Sequence, residues 1–146
     1  MIAHNEGCCG DLMYSVSIKG IVLGSLFDLV VSFVFGIVLV VVLTVSNGGN
    51  PDVAMAAMNS GGWFAFQMVV GFGLTIIAGY LAAWIAGRGE MINGTLSAVF
   101  TMAIMIPMMA GQPMPWSMTI MVILYILTPP FGLLGGYLRW RQTNGG

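Results

Sequence analysis

Residues 18–45 read IKGIVLGSLFDLVVSFVFGIVLVVVLTV, 28 residues in which Asp28 is the sole acid. About 20 consecutive apolar residues already span a bilayer, so this stretch is a transmembrane helix by length and composition. Spaced four apart along it stand Gly20, Gly24, Asp28, Ser32 and Gly36, and the remaining positions are mostly Val, Leu, Ile and Phe. Small residues at that spacing let a second helix approach closely in lipid, where no hydrophobic force drives helices together. The carboxylate therefore shares the face expected to pack against protein.

Composition extends this reading to the whole chain of 146 residues, which is 58% hydrophobic and 6% charged. Soluble domains carry roughly 25% charged residues, so a water-soluble fold is excluded. Three further apolar segments follow, at about 63–86, 94–110 and 116–138. The expected architecture is an all-α integral membrane protein, one bundle of four transmembrane helices over 18–141 with short polar tails at 1–17 and 142–146. The bilayer is its first partner. A net charge of −1 speaks against a nucleic-acid partner, because phosphate recognition needs clustered Lys and Arg.

The N-terminal stretch MIAHNEGCCGDLMYSVSIK has no basic region ahead of its first apolar run, so the first segment is expected to remain as a signal anchor. Lys19, Arg88, Arg139 and Arg141 all fall on one side of a four-span topology, and they are the only four Lys and Arg residues. The positive-inside rule then places both termini in the cytoplasm of a multi-pass cell-membrane protein. His4, Cys8 and Cys9 lack the ligand spacing of zinc sites, and cytoplasmic thiols stay reduced, so an unstructured tail is expected there.

Between the first two segments, 46–52 (SNGGNPD) is dense in turn residues, and 53–60 can add a short interfacial turn of helix. Trp63 marks the interface at the start of the second segment. That segment carries a second small stripe, Gly71, Thr75, Gly79, Ala83 and Gly87, which predicts antiparallel packing on the first. AGRGEMING, 86–94, reads as a tight turn. Pro107 disturbs the end of the third segment, and Pro129-Pro130 withdraws two backbone donors inside the fourth, where a kink is expected. Gly132 and Gly136 supply a further packing pair. Gly79-Tyr80-Leu81 repeats as Gly136-Tyr137-Leu138, and the same offset aligns Gly71-Phe72-Gly73 with Thr128-Pro129-Pro130. This reads as a weak parallel repeat of two two-helix units about the membrane normal.

The run Ala78-Gly79-Tyr80-Leu81-Ala82-Ala83, then Ala86-Gly87-Arg88 and Asn93-Gly94, resembles the YrzE-like family of small four-helix membrane proteins. Lys19-Gly20 and Gly135-Gly136 fit the same pattern, so the resemblance spans most of 19–138. The Pro129-Pro130 pair, the methionine content and the Cys8-Cys9 tail depart from it. The resemblance implies the four-helix architecture and no activity.

Two features bear on chemistry. Asp28 is an ionisable group in a span, a functional candidate by default. Entry at Gly20 would place it about 12 Å deep at 1.5 Å per residue, as a proton- or cation-coupling carboxylate. Taking the most hydrophobic window, 26–45, instead leaves it at the rim, pairing with Lys19 or Arg88; this structural reading is weighed ahead of the other. Among thirteen methionines, Met55, Met58, Met68, Met105, Met108, Met109, Met114 and Met118 fall toward the outer side. Thioethers select Cu(I), but methionine also fills irregular cores, and no other soft ligand lies on that side. No metal or cofactor is expected. With one His, in the tail, and no nucleophile–base or phosphate-cradling motif, an enzyme is not expected either. The favoured function is a non-catalytic membrane protein that self-associates or serves as an accessory subunit. The alternative is a small oligomeric transporter or channel using Asp28.

Overall fold

The computed structural model describes residues 16–109 and 118–145. They form five helices: α1 (Ile18–Ser46), α2 (Pro51–Met58), α3 (Gly61–Ala86), α4 (Glu90–Met109) and α5 (Met118–Asn144). All but α2 are long and apolar enough to cross a membrane. The His4, Cys8, Cys9 and Met114 positions, and the whole of 110–117, lie outside the described residues.

Local chemistry sets the helix ends. Ser17 caps α1, its side chain accepting from the Gly20 N–H at 3.3 Å. Gly48 and Gly49, at φ of 71° and 82°, turn the chain after α1, and Asn50 caps α2 by accepting from the Asp52 and Val53 N–H groups. Pro51 sits in the first turn of α2, where its missing donor costs nothing. The short helix thus begins inside the stretch read as turn. Ala54 pins it to Leu39 and Leu43 of α1 in a small buried cluster.

The link between α3 and α4 is tighter than the 86–94 expected. Gly87 and Gly89, at φ of 66° and 59°, complete the reversal, and helix resumes at Glu90, whose acidic side chain suits a first turn. At the other terminus the expected tail 142–146 is largely helical, because α5 continues to Asn144. The Tyr80 hydroxyl donates to Gln142 Oε1 at 2.6 Å, and Thr143 donates to Glu90 Oε1 at 3.4 Å, tying that last turn to α3 and α4. Neither the glycine pair of α3 nor the proline pair of α5 interrupts its helix. α3 passes through Gly71-Phe72-Gly73 and α5 through Pro129-Pro130, with the Phe72 and Phe131 rings stacked at 4.2 Å between centroids.

Lys19, Arg88, Arg139 and Arg141 fall at one end of the bundle, here called the basic end; α2 lies at the other. α3 and α4 form the centre, α1 and α5 flank them, and the backbones of α1 and α5 do not approach each other among the described residues. A two-fold relation between the halves would pair α1 with α5 as α3 pairs with α4. The two halves are therefore not related by an exact two-fold axis.

The interior is made of small residues. Ala78, Ala82, Ala83 and Ala98 are buried, whereas Phe33 and Val69 are 70% and 72% exposed. That inversion fits packing in lipid, where large apolar side chains lose nothing by facing outward and close backbones gain dispersion contact.

The small stripes meet in an order that differs from the expected one. Ala78, Ala82 and Ala86, not Gly79 and Ala83, face α1: a Cβ on Gly20 would lie 2.6 Å from the Ala82 carbonyl oxygen, and one on Gly24 would lie 2.7 Å from the Ala82 Cβ. Gly79 faces α5, where its own Cβ would meet the Gly132 carbonyl oxygen at 2.5 Å. Gly132 also meets Gly94 of α4, and Gly136 rests on the backbone of Glu90 and Met91. Two glycines outside the expected packing set, Gly94 and Gly135, belong to this crossing. Gly36 and Gly71 do not pack: among the described residues nothing lies within 4 Å of a Cβ built on either. On α1 the four-residue spacing runs on to a face that meets nothing at Gly36, although Phe35 still meets Phe66 of α3 and Leu39 and Leu43 pack on Ala54.

Candidate functional site

α1 and α4 run in the same direction and are joined by polar side chains at three successive levels. On α4 these are Asn93, Ser97 and Thr101, one helical turn apart, so they share a face. At the basic end Asn93 is fully buried. Its Oδ1 accepts from the Ser17 N–H at 2.7 Å, and its Nδ2 donates to the Arg88 and Gly89 carbonyls at 2.9 and 3.0 Å. One side chain thus ties the start of α1 to the α3–α4 turn.

At the second level the Ser25 hydroxyl shares its hydrogen between the Ile21 and Ser97 carbonyl oxygens, at 2.8 and 2.9 Å, with Ser97 Oγ at 3.2 Å. Gly24 makes this approach possible, since its Cβ would stand 2.8 Å from Ser97 Oγ. At the third level Asp28, 5% exposed, lies beside the Thr101 side chain. Thr101 also donates to the Ser97 carbonyl at 3.1 Å. The side chain placed beside Asp28 is a hydroxyl of α4. Thr75, another buried polar residue, turns its hydroxyl back to the Gly71 carbonyl at 3.1 Å.

Beyond Asp28 and Thr101 the seam opens. An apolar groove of about 660 Å³ is lined from Leu29 and Ser32 on α1 and by Met105 of α4, and walled further by Gly36, Met58 and Met108. Ser32 and Gly36 thus line open space. Met58, Met105 and Met108 are brought to one wall, whereas Met55 and Met68 are not part of it. Asp28 does not line the groove, although its chain neighbours Leu29 and Val30 do. No set of three or more His, Cys, Asp or Glu that could hold a metal occurs among the described residues.

Asn93, Ser97 and Thr101 were absent from the expected site, although a sequence signal for them exists. They form a polar stripe at spacing four in the least hydropathic stretch of the third segment. Asn93-Gly94 instead reads as a turn dipeptide, which hides the start of that stripe.

Four long apolar helices around a small-residue interior, with polar groups turned inward, are compatible with a polytopic helical membrane protein. Beyond that class, no family model matches the chain, and neither a curated protein nor a solved structure is similar to it.

Proposed function

We propose that this chain is a non-catalytic, multi-pass protein of the cell membrane that works through helix packing, by self-association or as a small subunit of a membrane complex. One observation carries the reading. The buried polar side chains of the described residues are spent on bonds within the bundle, while the open side between α1 and α4 presents an apolar groove. Such a surface recognises another apolar surface and offers no acid–base pair. The gathering of all four Lys and Arg residues at one end supports cytoplasmic termini. Chemical crosslinking in native membranes is expected to trap a dimer or a larger species. A chain that stays monomeric and uncrosslinked would overturn the proposal.

A second reading, a small oligomeric transporter or channel, is favoured by one feature: Asp28 is buried about 15 Å along α1, at 1.5 Å per residue from its start. Flux in proteoliposomes that is unchanged by Asp28→Asn would remove it.

A further inference from the structure

The groove between α1 and α4 is confined to one half of the bundle. Its lining on α1 runs from Leu29 to Val40, about 16 Å at 1.5 Å per residue. α2 marks the level of its far end, because Ala54 rests on Leu39 and Leu43 and Met58 lines the groove itself. Asn50 and Asp52 at the start of α2 are exposed, as befits a boundary between water and hydrocarbon. A hydrocarbon core about 30 Å thick takes about 20 residues of helix, so its middle falls near Val31, about ten residues back from that level. The groove therefore begins beside α2 and ends close to the midplane, the depth of a single leaflet.

Depth and lining together select an occupant. A membrane-spanning helix needs a furrow through both leaflets, whereas an acyl chain ends at the midplane. The volume of about 660 Å³ is that of a site for one small ligand, roughly 300–1,000 Å³. Ser32 alone among the lining residues has a polar side chain. Met58, Met105 and Met108 are unbranched and flexible, and such side chains conform to an occupant that itself bends. Charge then selects the head group. All four Lys and Arg residues belong to the basic end, and clusters of these residues are what draw anionic lipids. At the α2 end Asp52 is the only charged residue among those described, which favours a head group that carries a cation.

We propose that the groove holds one acyl chain of a zwitterionic phospholipid from the leaflet on the α2 side, with the chain end near Leu29 and the head group beside α2. The inference rests on the reading of this chain as a membrane protein and names the apolar surface that the groove takes. It holds whether or not copies associate. Gly36 is the position that tests it most directly, because nothing among the described residues lies within 4 Å of a Cβ built there. A side chain added at Gly36 enters the volume assigned to the lipid and leaves the helix contacts of the bundle untouched.

Two measurements on the full chain test it. The first is native mass spectrometry from detergent after incubation with equal amounts of phosphatidylethanolamine and phosphatidylglycerol. Each chain is expected to retain one phosphatidylethanolamine, several-fold in preference to phosphatidylglycerol. Gly36→Leu is expected to reduce that retention several-fold. Gly71→Leu, which enters open space on α3 away from the groove, is expected to leave it unchanged. The second uses liposomes containing phosphatidylethanolamine with a photoreactive diazirine in its acyl chain. A diazirine near the chain end is expected to label 29–33 and Met105, and one near the ester to label Val40 and Met58. Loss of all lipid in detergent, preference for phosphatidylglycerol, or equal retention by Gly36→Leu and the parent would overturn the proposal. So would label spread evenly over the four long helices, or the reverse order along α1. Should Gly36→Leu fail to fold, the labelling pattern of the unaltered chain decides. The same mass spectra separate this inference from the reading beneath it: monomers that retain lipid count against self-association alone, and dimers without lipid against the acyl-chain site alone.

Discussion

Gly79 of α3 and Gly132 of α5 face each other so closely that a Cβ on Gly79 would stand 2.5 Å from the Gly132 carbonyl oxygen. Backbone fills this contact, so neither side can yield by rotating a side chain. Gly94 reaches the same carbonyl oxygen from α4, where a Cβ on it would lie 2.6 Å away, and three helices are thereby held by one crossing.

Gly79→Leu is expected to lower the apparent melting temperature in detergent, with a loss of about 1–3 kcal/mol from overpacking. Gly36→Leu and Gly71→Leu enter open space. They replace glycine by a better helix former and are expected to be neutral or mildly stabilising. A Gly79→Leu protein that melts with the parent would mean that α3 and α5 do not cross here.

The α1–α3 contact makes a separate prediction. A side chain at Gly24 collides with Ala82 and Ser97 at once, whereas Val41 is 55% exposed on the outer face of α1. Gly24→Leu is expected to destabilise by about 1–3 kcal/mol, and Val41→Leu to be nearly silent in the same melting experiment. Equal effects of the two would show that the Gly24 face is not buried.

Asn93→Ala removes the acceptor of the Ser17 N–H and the donors to two turn carbonyls. Leaving buried partners unsatisfied costs about 1–3 kcal/mol. Hydrogen exchange at the first turn of α1 and at 87–89 is expected to rise along with the loss of stability. Unchanged exchange at Ser17 would contradict the bond from its amide to Asn93.

Gly87 closes α3 in the left-handed region, at φ of 66°. Gly87→Ala adds a Cβ where that conformation is strained, at a cost of about 1–2 kcal/mol. Nothing lies within 4 Å of the added atom among the described residues, so backbone strain is the only term. A melting temperature equal to the parent's would mean that the turn adopts another conformation.

Much of the architecture is legible in the chain itself. Long apolar runs give four helices of membrane-crossing length, about 20 such residues being enough for each, and Ser17, Gly48-Gly49 and Gly87-Arg88-Gly89 punctuate them through caps and positive φ. Hydropathy also singles out Asp28. It does not distinguish a rim carboxylate from one enclosed against α4, because that depends on how far α1 follows its neighbour.

Partner choice belongs to the tertiary structure. The stripe Ala78–Ala82–Ala86 and the stripe through Gly79 and Ala83 differ by one residue, a rotation of about 100° about the axis. Both are small, so sequence assigns neither to α1 nor to α5. Packing decides: alanines suffice against Gly20 and Gly24, while the α3–α5 crossing brings backbone onto backbone and admits only glycine at 79, 132 and 135. The same geometry turns Asn93, Ser97 and Thr101 inward and leaves Ser32 and Gly36 on an open groove. Spacing along a helix determines which residues share a face; only the meeting of several helices determines what that face touches.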